Sequence, residues 1–207
     1  MLGQGGWIGL GVVAMYLTAF AWGTAEAARA AGRPVWLFGR ARGLERLAAF
    51  GFRLAFALAL LGPLLWLAFP ALHKLDPLWT EGRYQLVGAA GAVLAAAGAM
   101  LAFAAQMSMG SSWRVGVAEG ATGALVSGGL YRFSRNPTFL GQFILLTGVT
   151  LAIPAVPTLL APLLFLWSAA TQIRSEEREL KQALGADYSR YLATVPRWIG
   201  FHRRTSS

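Results

Sequence analysis

The side chains with the most chemistry to offer gather in two short stretches. The first is Arg135-Asn136-Pro137-Thr138-Phe139-Leu140-Gly141. A residue before proline is pushed out of helical angles, and proline is favoured in the first turn of a helix. Arg135 and Asn136 are therefore expected at the mouth of a helix, where free N–H groups favour an anion. The plainer alternative is a helix start flanked by a surface arginine, and a motif this short does not decide between them. The second stretch runs from Arg174 to Phe201, where Glu176, Glu177, Leu180, Leu184, Tyr188 and Tyr191 recur near a helical period. Glu176 and Glu177 lie among arginines, and their plainest role is a solvated acidic turn making weak ion pairs. The Tyr-x-x-Tyr spacing puts two rings on one helix face. Gly185 either ends the helix or breaks it between turns. Val195-Pro196-Arg197-Trp198 reads as an extended or turn element whose tryptophan suits a headgroup region.

The rest of the chain must position these stretches, and its composition says how. The 207 residues are 56% hydrophobic and only 13% charged, with a mean hydropathy of +0.52. Soluble chains carry about 25% charged residues. A soluble fold of this size could not hide so much apolar surface. An ordinary cytosolic enzyme, a disordered chain and a nucleic-acid module are excluded. There is no cysteine and there are only two histidines, His73 and His202. Disulfides, cysteine nucleophiles and a metal site are not expected.

Four stretches lack interior charge or nearly so: 6–25, 47–69 with Arg53 as its one charge, 84–106, and 139–172. A membrane span takes about 20 helical residues, so the last stretch is too long for one. Pro154, Pro157 and Pro162 cut it, and proline ends helices. It reads as a tight hairpin turning at 153–157, whose first helix, at roughly 15 residues, is short for a full span. The expected fold is all-α: a polytopic membrane protein of about five transmembrane helices. The first span lacks the basic flank of a cleaved signal and reads as a retained helix.

The basic residues then set orientation. The first connection holds Arg29, Arg33, Arg40, Arg42 and Arg46, the third holds Arg114, Arg132 and Arg135, and the segment after Gln172 holds seven more. The second connection holds only Lys74 and Arg83, and the hairpin turn holds none. With the N-terminus outside and the C-terminus cytoplasmic, fifteen basic residues lie inside against two outside. The net charge of +9 is thus mostly a topology signal. Arg53 either snorkels to the headgroups or faces a polar cavity in the bundle. The small residues Gly88, Gly91, Ala92, Ala95, Ala96, Gly98 and Ala99 predict close helix packing.

Read together, the order RNPxFLG, a helical hairpin, then EExxLxxxLGxxYxxYxxxVPRW, with MGSSWRVGV before it, resembles a family of integral membrane methyltransferases. That family includes the isoprenylcysteine carboxyl methyltransferases and the phosphatidylethanolamine N-methyltransferases. The resemblance covers roughly residues 100–201; residues 1–106 match only as hydrophobic spans. It implies one domain over 1–207, with three spans in 1–106 and a catalytic half in 107–201 built from the hairpin 139–172 and a cytoplasmic C-terminal segment. Two positions depart from the family pattern. Asn136 stands where His is frequent and Phe139 where Tyr is. An amide can hydrogen-bond a cofactor but cannot take a proton near pH 7.

The resemblance implies S-adenosylmethionine as methyl donor and a lipid-like or apolar acceptor: a prenylcysteine-type carboxylate, a phospholipid amine or a thiol. It implies Arg135 and Glu177 as catalytic residues. Arg135, Asn136, Pro137, Phe139, Leu140 and Gly141 would form the cofactor-binding turn. Glu176 and Glu177 would serve the cofactor's ammonium, its ribose or an active-site arginine. Tyr188, Tyr191 and Arg197 would close the pocket. Adjacent helical residues diverge by about 100°, which argues against both glutamates facing one ligand. Trp113 and Arg114 are candidates for the acceptor's headgroup, with interfacial anchoring as the alternative. The expected location is the bacterial inner membrane with the site facing the cytoplasm; nucleic acid is not an expected partner. A small transporter or a scaffold without catalysis is the competing reading, kept open by the prolines of the hairpin.

Overall fold

The computed structural model describes residues 1–32, 34–36, 43–113, 115 and 125–200. Within them lie six α-helices: α1 (Gln4–Ala31), α2 (Gly43–Ala68), α3 (Pro70–Leu75), α4 (Gln85–Met109), α5 (Pro137–Ala152) and α6 (Val156–Thr194). Four of these, α1, α2, α4 and α6, are long and apolar enough to cross a membrane. α5 is the short helix expected at the hairpin, 16 residues long. At 1.5 Å per residue it spans about 24 Å, less than the ~30 Å hydrocarbon core. The small helix α3 lies in a connection where the sequence pattern placed no element.

Close approach of backbones organises the bundle. Gly91 and Gly98 of α4 face Gly148 and Gly141 of α5. A Cβ at any of the four would overlap the backbone of the opposite helix. Lipid tails are as apolar as leucine, so membrane helices associate through such intimate van der Waals contact rather than through the hydrophobic effect. The same glycines fix direction. The pairing of 91 with 148 and 98 with 141 makes α4 and α5 antiparallel. Gly5 meets Gly88 and Gly23 meets Gln106, so α1 runs parallel to α4. Gly51 meets Ser168 and Gly62 meets Pro157, so α2 and α6 are antiparallel. The last turns of α1 and α4, the first turns of α2 and α5, and the polar half of α6 therefore meet at one end of the bundle.

The opposite end is pinned by Asp76. Its Oδ2 accepts from Trp66 Nε1 at 2.7 Å and from the backbone N–H of Val156 at 2.8 Å, and its Oδ1 accepts from Leu78 N at 2.8 Å. A carboxylate on the first turn of α6 satisfies an orphan N–H and complements the helix dipole.

α6 runs 39 residues from Val156 to Thr194, on past Gln172, and is broken at Gly185 where φ is 52° and ψ is −118°, as the helical period and the glycine led one to expect. Nothing in Ile173–Leu184 opposes a helix, so the apolar half and the polar half are one rod until glycine allows the bend. Arg53 lines the groove between α1 and α2, with its Cζ 5.7 Å from the centre of the Trp36 ring.

Candidate functional site

The two polar stretches of the sequence meet at the crowded end of the bundle. Asn136 lies at φ −132° and precedes Pro137, the first residue of α5. This turn throws Arg135 out of the helix and toward the far end of α6. Its backbone N–H donates to Pro196 O at 2.9 Å. Its guanidinium donates through Nη1 to Leu192 O at 3.1 Å and Val195 O at 2.6 Å, and through Nη2 to Glu177 Oε1 at 2.9 Å. Glu177 also accepts from Arg197, at Oε1 from Nε (3.1 Å) and at Oε2 from Nη2. One carboxylate thus holds two arginines and closes the C-terminal strap over the start of α5.

The clasp is semi-buried: the side chains of Arg135 and Glu177 are 12% and 16% exposed, that of Arg197 41%. Burial alone would raise the Glu177 carboxyl. The hydrogen bonds from Arg197 and Arg135, with their positive charge, outweigh it and hold the carboxyl below the usual range. The bond to Glu177 raises Arg197 in turn. Burial pushes the Tyr188 hydroxyl well up and that of Tyr191 up to about 12, so both stay protonated. Tyr191 OH donates to Tyr131 O at 2.7 Å, tying the strap to the short 3-10 turn Gly129–Arg132.

Asn136 serves the same closure. Its Nδ2 donates to Arg197 O at 3.0 Å, and its backbone N–H donates to Ser134 Oγ at 3.0 Å. Its amide is spent on the strap.

Under the strap lies a cavity. Its wall includes Arg135, Asn136, Phe139, Glu176, Glu177, Tyr188 and Tyr191. Both glutamates border it. Pro137, Leu140, Gly141 and Arg197 are not in the lining. Pro137 is buried in the first turn of α5, Gly141 is one of the crossing glycines against Ala102 of α4, and Arg197 reaches Glu177 from the solvent side. Trp113 lines the cavity, is 7% exposed, and donates from Nε1 to Thr24 Oγ1 at 3.2 Å; it is a core residue and not a surface anchor. Arg114 lies outside the described residues.

The lining also contains residues that the motifs did not reveal: Phe20 of α1, Phe52 of α2, Tyr131, Thr138, Gln142 and Gln172. Lone amides in otherwise apolar helices were the available signal for the two glutamines. The two phenylalanines carried none, since an aromatic in a membrane helix is unexceptional.

Chemically, the cavity offers one buried guanidinium N–H without a partner, Arg135 Nε, two carboxylates on its wall, and aromatic faces from Tyr131, Tyr188 and Phe139. Such a set can hold a zwitterion beside a cation: an anion on the guanidinium, an ammonium near a carboxylate, and positive charge against rings. Among the described residues no group of acidic and histidine side chains could hold a metal ion.

A family model described as phospholipid methyltransferase matches residues 86–187. The match takes in α4, α5, most of α6 and both members of the Arg135–Glu177 pair, and stops short of Tyr188, Tyr191 and Arg197. Comparison with curated proteins and with solved structures gives no significant match.

Proposed function

We propose that this chain, which belongs through residues 86–187 to the phospholipid methyltransferase family, moves a methyl group from S-adenosylmethionine to a lipid-like acceptor at a membrane face. The observation that carries the reading is the Arg135–Glu177–Arg197 clasp closing an aromatic-walled cavity at the ends of membrane helices. S-adenosylmethionine supplies a methyl carbon on a sulfonium, so that an acceptor lone pair bonds to that carbon while the carbon–sulfur pair remains on sulfur and the positive charge passes to the acceptor.

The chain's residues suit that task. Arg135 Nε is a buried donor with no protein partner, fitted to the cofactor's carboxylate. Glu176 borders the cavity and suits the ammonium. The rings of Tyr188, Tyr131 and Phe139 suit the sulfonium. About 100 Å³ is enclosed, less than the ~300 Å³ of common ligand pockets, so the cavity would surround the reacting part of the ligand and not all of it. Holding donor and acceptor close and in line supplies most of the rate in such a displacement. Glu177 is a positioning residue here. A carboxylate already satisfied by two arginines is a poor base, so an acceptor proton is left to water.

The excess of arginines near this end of the bundle favours a cytoplasmic active site in a bacterial inner membrane, with the N-terminus outside. The test is direct. Detergent-purified protein is expected to gain thermal stability with S-adenosylhomocysteine, because a ligand that binds only the folded state stabilises it. It is then expected to transfer label from the methyl donor to membrane lipid extracts, prenylated cysteines or apolar thiols. No shift at millimolar S-adenosylhomocysteine in a folded protein overturns the reading and points to a scaffold or transporter.

A further inference from the structure

The floor of the cavity holds two side chains that the clasp does not use. Gln142 of α5 is 1% exposed and Gln172 of α6 is 6% exposed, and both border the cavity. Gln142 Nε2 donates to the Tyr16 hydroxyl at 2.7 Å. This fixes the amide and leaves its Oε1 with no hydrogen-bond partner; Gln172 Nε2 has none either. Buried polar atoms are rarely left unpaired, because the desolvation cost is then uncompensated. One of these orphans is an acceptor and the other a donor.

A second space runs beside the first. α1 and α2 diverge to leave a groove of about 660 Å³, walled by Leu17, Ala21, Ala25 and Ala28 on one side and Ala57 and Leu61 on the other. From Leu17 to Ala28 it extends about 16 Å along the helix, about half the hydrocarbon thickness of a bilayer. Phe20 and Phe52 belong to the walls of both spaces, with their ring centroids 6.5 Å apart. The groove therefore adjoins the cavity at this pair. The bridge between Trp36 and Val115 holds the two regions together, with Val115 N donating to Val35 O at 2.8 Å.

We propose that groove and glutamines are one acceptor site, occupied by an amphiphile with a single apolar chain and a neutral head. The chain lies between α1 and α2, and the head passes Phe20 and Phe52 to rest on Gln142 and Gln172. This rests on the methyl-transfer reading and narrows it. The head must give one hydrogen bond, to Gln142 Oε1, and accept one, from Gln172 Nε2. A hydroxyl does both and keeps a second lone pair for the methyl carbon, whereas a neutral amine has one lone pair, which cannot hold the bond from Gln172 and attack at once. A carboxylate has only lone pairs and would set them against those of Gln142. As the head's lone pair bonds to the methyl carbon, positive charge appears on the head atom and its hydrogen becomes more acidic. The bond to Gln142 Oε1 strengthens at that moment, which stabilises the transition state above the ground state. The proton leaves afterwards to water.

The experiment uses the full chain in detergent or nanodiscs, with labelled methyl donor and three acceptors of equal chain length: a primary amine, an alcohol and a carboxylate. The alcohol is expected to be methylated in preference to the amine and the carboxylate. Gln142→Leu is expected to lower kcat about a hundredfold while the S-adenosylhomocysteine shift persists, which also shows that the bundle is folded. The pair Ala21→Phe and Ala57→Phe is expected to raise KM for the long-chain alcohol about tenfold and to leave a short soluble alcohol unaffected. Should Gln142→Leu lose the cofactor shift, Gln172→Leu carries the test through a rise in KM. Equal transfer to the amine or the carboxylate, an unchanged kcat in Gln142→Leu, or an unchanged KM in the filled groove overturns the proposal while methyl transfer itself stands. Loss of all transfer and all cofactor binding in the unmodified protein removes the methyl-transfer reading instead.

Discussion

Arg135 and Glu177, 42 residues apart in the chain, meet at 2.9 Å and are the point through which α5, α6 and the C-terminal strap are held together. Because Arg197 shares the same carboxylate, and Arg135 also binds Leu192 and Val195 oxygens, the pair is both a wall of the cavity and its latch.

Glu177→Ala therefore strands two arginines, one of them 12% exposed. Breaking one side of a buried pair costs about 3 kcal/mol. Expected outcomes are a lower Tm and loss of the S-adenosylhomocysteine shift, with the protein still inserted in membranes. Arg135→Lys keeps the charge but not the fork, and is expected to recover less than half of the lost stability. In a double-mutant cycle Arg135→Ala and Glu177→Ala are expected to be strongly non-additive; additive effects would show that the two do not act as a unit.

The depressed Glu177 carboxyl sets a pH dependence. A group with a lowered folded-state pKa contributes stability that is fully present above its unfolded pKa, about 4.3, and is lost as pH falls through the folded value. Tm is expected to be insensitive to this group from neutral pH down to about pH 5, and to decline below that. Glu177→Gln is expected to remove part of the acid-side decline. An identical acid profile in the variant would mean that Glu177 carries no such linkage.

Gly98→Leu tests the crossing of α4 and α5. The new side chain would meet the backbone at Leu145 and Gly141, and backbone cannot step aside as a side chain can. A destabilisation of about 3 kcal/mol or more is expected, above the common range for overpacking. Gly11→Leu, where no atom lies within 4 Å, is the control, expected to leave Tm unchanged.

Asp76→Ala removes three hydrogen bonds and a helix cap at the end of the bundle remote from the cavity. A loss of about 2 kcal/mol is expected, read as Tm, with cofactor affinity unchanged. A change in affinity would show that the two ends are coupled.

The absence of cysteine makes orientation easy to test. A single cysteine at Leu75 is expected to react with an impermeant thiol reagent on intact cells, and one at Ser189 only after permeabilisation. The reverse pattern overturns the proposed orientation.

The sequence by itself was enough for the helical membrane architecture, because a run such as Leu47–Phe69 can satisfy its backbone in lipid only as a helix. Proline chemistry at Pro154 and Pro157 was enough for the hairpin, and the small residues of α4 for close packing. The stretches that carry Arg135 and Glu177 were also legible, since charges are scarce in such a chain. The tertiary structure alone decided what those charges do. The helical period past Gln172 and the break at Gly185 were legible, but whether Glu177 met a ligand or an arginine depended on where the chain after Thr194 returns to place Arg197, and no local pattern encodes that. It likewise turned Asn136 onto the strap and Gly141 onto α4. The same holds for Phe20, Phe52, Gln142 and Gln172. The glutamines stand out as lone amides and the phenylalanines do not, but all four reach the cavity only because glycine crossings set which faces of α1, α2, α5 and α6 converge.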